Sequence, residues 1–111
     1  MKLSISNGAP YQGVAANTQL LNIELEKNEV LEPSALKELS AMLRDLEINL
    51  GEGIIINGRA PIWLYGAIVD ELCEAAWVAT NDLRLGAVVV FSRVPNINPG
   101  QTLSPLPGSI V

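Results

Sequence analysis

Histidine is absent from this 111-residue sequence, and cysteine occurs once, at Cys73. The chain therefore lacks both the commonest general base near neutral pH and the commonest zinc ligand. Any acid–base chemistry must come from carboxylates, tyrosine, lysine or a metal-bound water. A single cysteine excludes an intramolecular disulfide, which suits a reducing cytoplasm. Because Cys73 falls on the apolar stripe of a predicted helix, we expect it to be a buried small hydrophobe and not a nucleophile.

Charged residues are also sparse, at 17% of the chain, and the net charge is −5. Such an acidic chain is poorly suited to long DNA or RNA, whose binding depends on many Lys and Arg contacts to phosphates. A small anionic ligand remains feasible, since a helix N-terminus and one or two arginines suffice to hold it. So little charge on a small domain also indicates that part of the surface is buried in a homo-oligomer.

Long apolar runs are missing as well. No run approaches the roughly 20 residues that span a bilayer, and no basic region precedes an apolar core at the N-terminus, so we expect neither a membrane span nor a secretion signal. The length indicates one domain over residues 1–111, and a hydrophobic content of 49% is enough for a core. Neither a GxGxxG pattern nor a Walker pattern is present, which leaves nucleotide cofactors of those classes unsupported.

The hydrophobic periodicity predicts the order β-β-α-β-α-β-β. The alternation over residues 18–26 is typical of a half-exposed strand, antiparallel or at a sheet edge. The other predicted elements are a strand at 2–5, a loop to residue 17, helices at 31–46 and 61–75, strands at 53–57, 77–80 and 87–91, a further short strand at 102–103 and an irregular tail. This order predicts an α/β sandwich whose mixed sheet has parallel strands at its centre and antiparallel strands outside.

The strand–helix–strand unit over residues 53–80 brings two turns to one edge of the sheet, because the carboxyl ends of parallel strands meet there. In the first turn, Gly58 permits a sharp bend and Pro61 presets φ for the start of the helix. The free backbone N–H groups of that helix start, with Arg59 beside them, form a candidate anion site. The alternative is a tight turn with an incidental surface arginine.

The second turn contains Asp82 and Arg84. A carboxylate there can hold a divalent cation or act as a base, and an arginine can bind phosphate in a bidentate manner. The alternative is a hairpin connection in which Asp82 forms local hydrogen bonds and Gly86 takes a positive φ. Residue chemistry by itself leaves both interpretations open. Trp63 and Trp77 can stack on bases, although packing in a core or an interface is favoured for both.

Residues 58–64 (GRAPIWL) and 82–90 (DLRLGAVVV) resemble a CRISPR-associated family written Csx-three, also described as ring nuclease three. In that family the pattern reads approximately GRGPIWL and then DPRLGAVVV. The resemblance covers about residues 53–93. It implies a small Rossmann-like domain related to the CRISPR-associated (CARF) sensors of type III systems. Such proteins are homodimers that bind cyclic tetra-adenylate or short RNA, and they linearise the ring with help from manganese by sandwiching it between two dimers.

By matching position, the resemblance makes Asp82 the catalytic or metal-associated acid. The implied ligand-binding residues are Asn57, Gly58, Arg59, Pro61, Arg84 and Ser92. The family has one histidine where this chain has Glu74, a conceivable substitute base, and another near Ser92 and Arg93, while Leu83 replaces the proline of the motif. Two functions follow. One is a ring nuclease that switches off antiviral signalling, using the substrate's own 2′-hydroxyl as nucleophile. The other is a module of the same family that binds the ligand without cleaving it.

Overall fold

The computed structural model describes residues 1–7 and 18–104, so the loop predicted before residue 18 and the tail predicted after residue 104 lie outside the described residues. A 3-10 helix at Pro33–Glu38 leads directly into the first α helix. The remaining elements, in chain order, are β1 (Lys2–Asn7), β2 (Gln19–Glu24), α1 (Leu39–Asp45), β3 (Gly53–Gly58), α2 (Ile62–Glu71), β4 (Trp77–Asp82), β5 (Gly86–Ser92) and β6 (Thr102–Leu103).

All six strands form one sheet in the order β1-β2-β3-β4-β5-β6. The pairs β2–β3 and β3–β4 are parallel, whereas β1–β2, β4–β5 and β5–β6 are antiparallel. The prediction of a mixed sheet with a parallel centre is confirmed. Residues of α1 and α2 pack on the same face of the sheet. This is the arrangement expected when two successive right-handed crossovers advance in one direction across a sheet.

The prediction that this strand is antiparallel or at an edge is confirmed in its first alternative, because β2 pairs antiparallel with β1. The strand is interior, since it also pairs in parallel with β3. Leu20, Leu21 and Ile23 are all buried, although Asn22 and Glu24 are not. An interior strand can keep this alternation of apolar and polar residues because other side chains cover the sheet face opposite the helices mainly near the start of β2. Beyond Leu20, that face carries the polar side chain of Asn22.

Two cores lie on opposite faces of the sheet. Ile54, Ile56 and Val78 face the helices and pack with buried residues of both, among them Leu39, Leu43, Leu64 and Ile68. On the other face, Ile55 and Trp77 pack with Ile97 and Leu103, which follow β5 in the chain. All three isoleucines of β3 are fully buried, which confirms that this strand is covered on both faces.

Both helices are shorter than the periodicity predicts. The first is a 3-10 helix over its first six residues, Pro33–Glu38. The α helix that follows ends at Asp45, and two residues later Glu47 has a φ of +53°. The second ends at Glu71, because the chain then turns to bury Leu72 and Ala75. That turn leaves Cys73 exposed, so its predicted burial is wrong. Over residues 1–7 and 18–104, no helix has both the length and the apolar character needed to cross a membrane.

Candidate functional site

An open cleft of about 680 Å³ lies between α2 and the strands β4 and β5, at the carboxyl ends of β3 and β4. Its volume falls in the range of small-molecule sites, about 300–1,000 Å³. Arg59 from the first predicted turn and Asp82 from the second both line this cleft. The complete lining consists of Gly58, Arg59, Ala60, Ile62, Tyr65, Gly66, Val69, Thr80, Asn81, Asp82 and Val90.

Gly58 makes the turn between β3 and α2 possible. Its φ is +130°, and a Cβ at this position would lie 2.3 Å from the backbone oxygen of Ile23. Only glycine meets both demands. The hydroxyl of Tyr65, one turn into α2, donates a hydrogen bond to the Gly58 carbonyl oxygen. Burial raises the pKa of Tyr65 above its ordinary value of 10.0.

Pro61 is the N-cap residue of α2 and not its first helical residue. It is extended, with φ −60° and ψ 149°, and its carbonyl oxygen accepts the N–H groups of Leu64 and Tyr65. No side chain caps this end of the helix. Arg59 is exposed, and across the described ranges 1–7 and 18–104 its guanidinium forms no hydrogen bond or ion pair. Both halves of the candidate anion site are therefore available to a ligand.

Asp82 stabilises the hairpin between β4 and β5. Its Oδ1 accepts the backbone N–H of Arg84 at 2.7 Å and that of Leu85 at 3.0 Å, and the opposite residue, Gly86, has a φ of +86°. These features are those of the local turn interpretation, yet the carboxylate also lines the cleft. Arg84 is 87% exposed, with Nε 3.9 Å from Asp82 Oδ1. This contact is too long and too solvated to hold the arginine in place.

The same two backbone hydrogen bonds lower the pKa of Asp82. A depressed folded-state pKa means that the carboxylate stabilises the hairpin above its unfolded pKa of 3.8, and that this stabilisation is lost as pH falls through the folded value. We expect Asp82→Asn, which preserves the acceptor oxygen, to lower the melting temperature at pH 7, and we expect this difference from wild type to shrink as the pH falls below 3.8. Thermal melts at pH 7, 5 and 3 measure this. Glu24→Gln, an exposed substitution outside the hairpin, is the control. If the melting temperatures of Asp82→Asn and wild type change in parallel with pH, the Asp82 carboxylate does not stabilise the hairpin.

A row of amide side chains crosses the sheet at the same edge. Asn81 Nδ2 donates to Asn57 Oδ1 at 3.0 Å, and Asn57 Nδ2 donates to Asn22 Oδ1 at 3.4 Å. Asn22 Nδ2 then donates to Ser6 Oγ at 3.1 Å. Asn57 alternates with Ile56, which faces the helices, so this row lies on the face opposite them. Asn57 thus reaches the predicted edge, but its side chain faces away from the cleft and is already hydrogen-bonded.

Glu74 and Ser92 lie beside the amino end of β4, whereas Asp82 lies at its carboxyl end. Ser92 pairs with Trp77 at the start of β4, whereas Asp82 pairs with Gly86 at its end. Glu74 follows the C-terminus of α2, which runs antiparallel to the strands it connects. The Ser92 hydroxyl bonds to the backbone of Val94 in both directions, at 3.0 and 3.1 Å. Within one protomer, neither predicted residue reaches the cleft.

The sequence interpretation gave no site role to Gly66, Thr80 or Val90, although Val90 is the last residue of the second motif. Each of them lines the cleft because of how α2 packs across β4 and β5. The row of asparagines had a usable signal, since Asn57 and Asn81 stand at the ends of predicted strands and Asn22 lies on the polar side of the alternating strand at 18–26.

The described residues do not fit a resident manganese ion. Over residues 1–7 and 18–104, no group of three or more His, Cys, Asp or Glu side chains lies close enough to hold a metal. Asp82 is the one carboxylate in the cleft, and one of its oxygens already accepts two backbone N–H groups. Manganese favours an octahedral set of oxygen ligands, most of which these residues leave unfilled.

The fold and the cleft define a small α/β domain with a candidate ligand site at the carboxyl ends of its parallel strands. The chain belongs to the family of the CRISPR-associated protein Cas_csx3, whose family model matches residues 24–104. Both motifs that carry the resemblance fall inside this match. The chain is also 33% identical over 88 residues to an uncharacterized protein of Aquifex aeolicus (strain VF5), an alignment that covers 78% of each chain.

Proposed function

We propose that this protein binds a cyclic oligoadenylate of the size of cyclic tetra-adenylate, or a short RNA, in the cleft between α2 and the β4–β5 hairpin. The observation that carries this proposal is the unpaired guanidinium of Arg59, which lines the same cleft as Asp82 and adjoins the uncapped start of α2. Cyclic tetra-adenylate has only four phosphates, so a few local donors can hold it on a protein with a net charge of −5.

The proposal includes a homodimer and a relationship to the Rossmann-like CARF sensors of type III CRISPR systems. A two-fold dimer presents the cleft twice, and a four-fold ring contains a two-fold axis, so the symmetries of protein and ligand match. Two dimers enclosing one ring would give a tetramer on ligand. Membership of a CRISPR-associated family supports a role in antiviral signalling, and the reducing cytoplasm is the location that the single cysteine favours.

Cleavage of the ring is a second candidate function, supported by the position of the Asp82 carboxylate in the cleft. In this reaction the ligand's 2′-hydroxyl oxygen attacks the adjacent phosphorus, the bond from phosphorus to the 5′-oxygen breaks, and the product ends in a cyclic 2′,3′-phosphate. Asp82 would orient the sugar, while Arg59 and Arg84 neutralise the charge that develops on the phosphate. Glu74 reaches such a ring only from another protomer, as a sandwich between two dimers would allow. No step is assigned to a metal ion.

A single incubation series tests both functions. The protein is titrated with cyclic tetra-adenylate and with a linear tetra-adenylate, in manganese and in chelator, and the products are resolved by liquid chromatography while binding is measured by calorimetry. Linear product from the ring demonstrates a ring nuclease, and bound but intact ligand demonstrates a non-cleaving module. Absence of both would overturn the proposed function. If Asp82→Asn cleaves at the wild-type rate, Asp82 has no catalytic role.

A further inference from the structure

The cleft has an apolar side that phosphate binding does not use. Ile62 is 88% exposed and Val90 is 43% exposed, and both line the cleft together with Val69. Of the large hydrophobic side chains that the structure leaves exposed in residues 1–7 and 18–104, two more, Leu83 and Leu85, lie on the adjoining hairpin. Exposed apolar side chains that gather at one place indicate a surface that receives something apolar.

Gly66 and Thr80 leave parts of the cleft lining open to a ligand. Gly66 lines the cleft from α2, and a Cβ built at this position meets no atom within 4 Å. Glycine stabilises an exposed helix less than alanine does, so the gap at Gly66 is not explained by helix stability. Thr80 lines the cleft from β4, and its hydroxyl forms no side-chain hydrogen bond in the described part of the chain.

We infer that the cleft is a nucleobase pocket, in which one adenine of the ligand inserts between Gly66 on α2 and Val90 on β5 while its phosphate lies against Arg59. The apolar side chains contact the faces of the purine, and the Thr80 hydroxyl donates to a ring nitrogen or accepts from the exocyclic amine. This inference rests on the proposed function. It adds that the cleft selects the ligand by its adenine base. The group that the pocket recognises is one adenylate unit. A cyclic oligonucleotide, a linear oligonucleotide and a free nucleotide all contain such a unit.

Gly66→Leu tests the pocket directly, because the added side chain enters open space and leucine favours a helix more than glycine does. We expect the melting temperature to stay level or rise, and the affinity for cyclic tetra-adenylate to fall at least about tenfold, since the leucine competes with the base for the same space. Ala41→Leu places the same side chain on the exposed surface of α1 and is the matched control. It is expected to bind as wild type.

The ratio of affinities for ligands with different bases tests the pocket, because a residue with a purely structural role would not change this ratio. Wild type is expected to prefer cyclic tetra-adenylate over cyclic tetra-uridylate by about tenfold, because a purine base is larger than a pyrimidine base and fills the apolar cleft better. Thr80→Val, which keeps the shape of the side chain, is expected to reduce this ratio several-fold. Titrations with adenosine 5′-monophosphate and linear tetra-adenylate distinguish a site for any adenylate unit from one that requires the ring.

The outcomes separate the two proposals. If wild type binds none of these ligands, the proposed function fails and the pocket fails with it. Two results would contradict the nucleobase pocket and leave the proposed function standing. In the first, Gly66→Leu binds cyclic tetra-adenylate as well as wild type does. In the second, wild type binds cyclic tetra-adenylate and cyclic tetra-uridylate with equal affinity.

Discussion

Replacing Arg59 by alanine is expected to weaken the binding of cyclic tetra-adenylate by about 10- to 100-fold, because a hydrogen bond to a charged group contributes about 1.5–3 kcal/mol. Arg59 has no partner in the described part of the protein, so its guanidinium needs to give up nothing but water to meet a phosphate. For the same reason the substitution should leave the melting temperature within about 3 °C, since surface changes away from packed features stay within about 0.5 kcal/mol. Calorimetric titration and a thermal melt together give both numbers.

The control for Arg59→Ala must change the net charge equally at a distance from the cleft. Arg44 serves, because it lies on α1 beside Leu50 and Glu71, at the amino ends of the parallel strands. Among residues 1–7 and 18–104 its side chain makes only a 3.4 Å hydrogen bond to Ser40. Arg44→Ala should bind the ligand within about twofold of wild type, as long-range effects between exposed charges are screened by salt. Equal losses for the two variants would mean that the ligand responds to net charge and not to the cleft. Arg59→Lys should recover part of the affinity, since lysine keeps the charge without the bidentate geometry.

Replacing Gly53 by alanine is expected to destabilise the domain by about 3 kcal/mol, near the upper end of the usual cost of overpacking a core. A Cβ at Gly53 would lie 1.9 Å from Cε2 of Trp77 and 2.2 Å from Cζ2. The two residues are paired across β3 and β4, and the indole is buried, so the ring has little room to move. For a domain of this size we expect the melting temperature to fall by roughly 10–20 °C.

A double-mutant cycle tests the cause of that loss. Trp77→Leu removes the ring and is destabilising by itself, through the cavity that it leaves. In the Trp77→Leu background, Gly53→Ala should cost less than about 1 kcal/mol, because the clash has gone. Gly66→Ala, at a glycine with open space around it, is the matched control and should not destabilise. Additive losses in the cycle would show that Gly53 is needed for its backbone and not for contact with the indole. Chemical denaturation of the four proteins gives the coupling energy.

Much of the fold follows from local pattern. The apolar run in β3 predicts a strand buried on both faces, since a run without alternation has no side left for water. The glycine and proline of residues 58–61 predict the bend into α2. The motifs at 58–64 and 82–90 predict the family, which the match over residues 24–104 confirms. The order of the elements also predicts that Arg59 and Asp82 share one edge, because parallel strands joined by a helix must end on the same side of the sheet.

The sequence by itself determined where strands and helices form, which residues are apolar enough to be buried and which family the chain belongs to, because these properties depend on neighbouring residues and on short motifs. Only the tertiary structure decided that β2 is interior, that Asn57 faces away from the cleft, that Glu74 and Ser92 lie beside the amino end of β4, and that Gly66, Thr80 and Val90 line a cavity. The physical reason is that a residue's local pattern sets its conformation, whereas the partners across a sheet and the helix above it are supplied by distant segments that the local pattern does not specify.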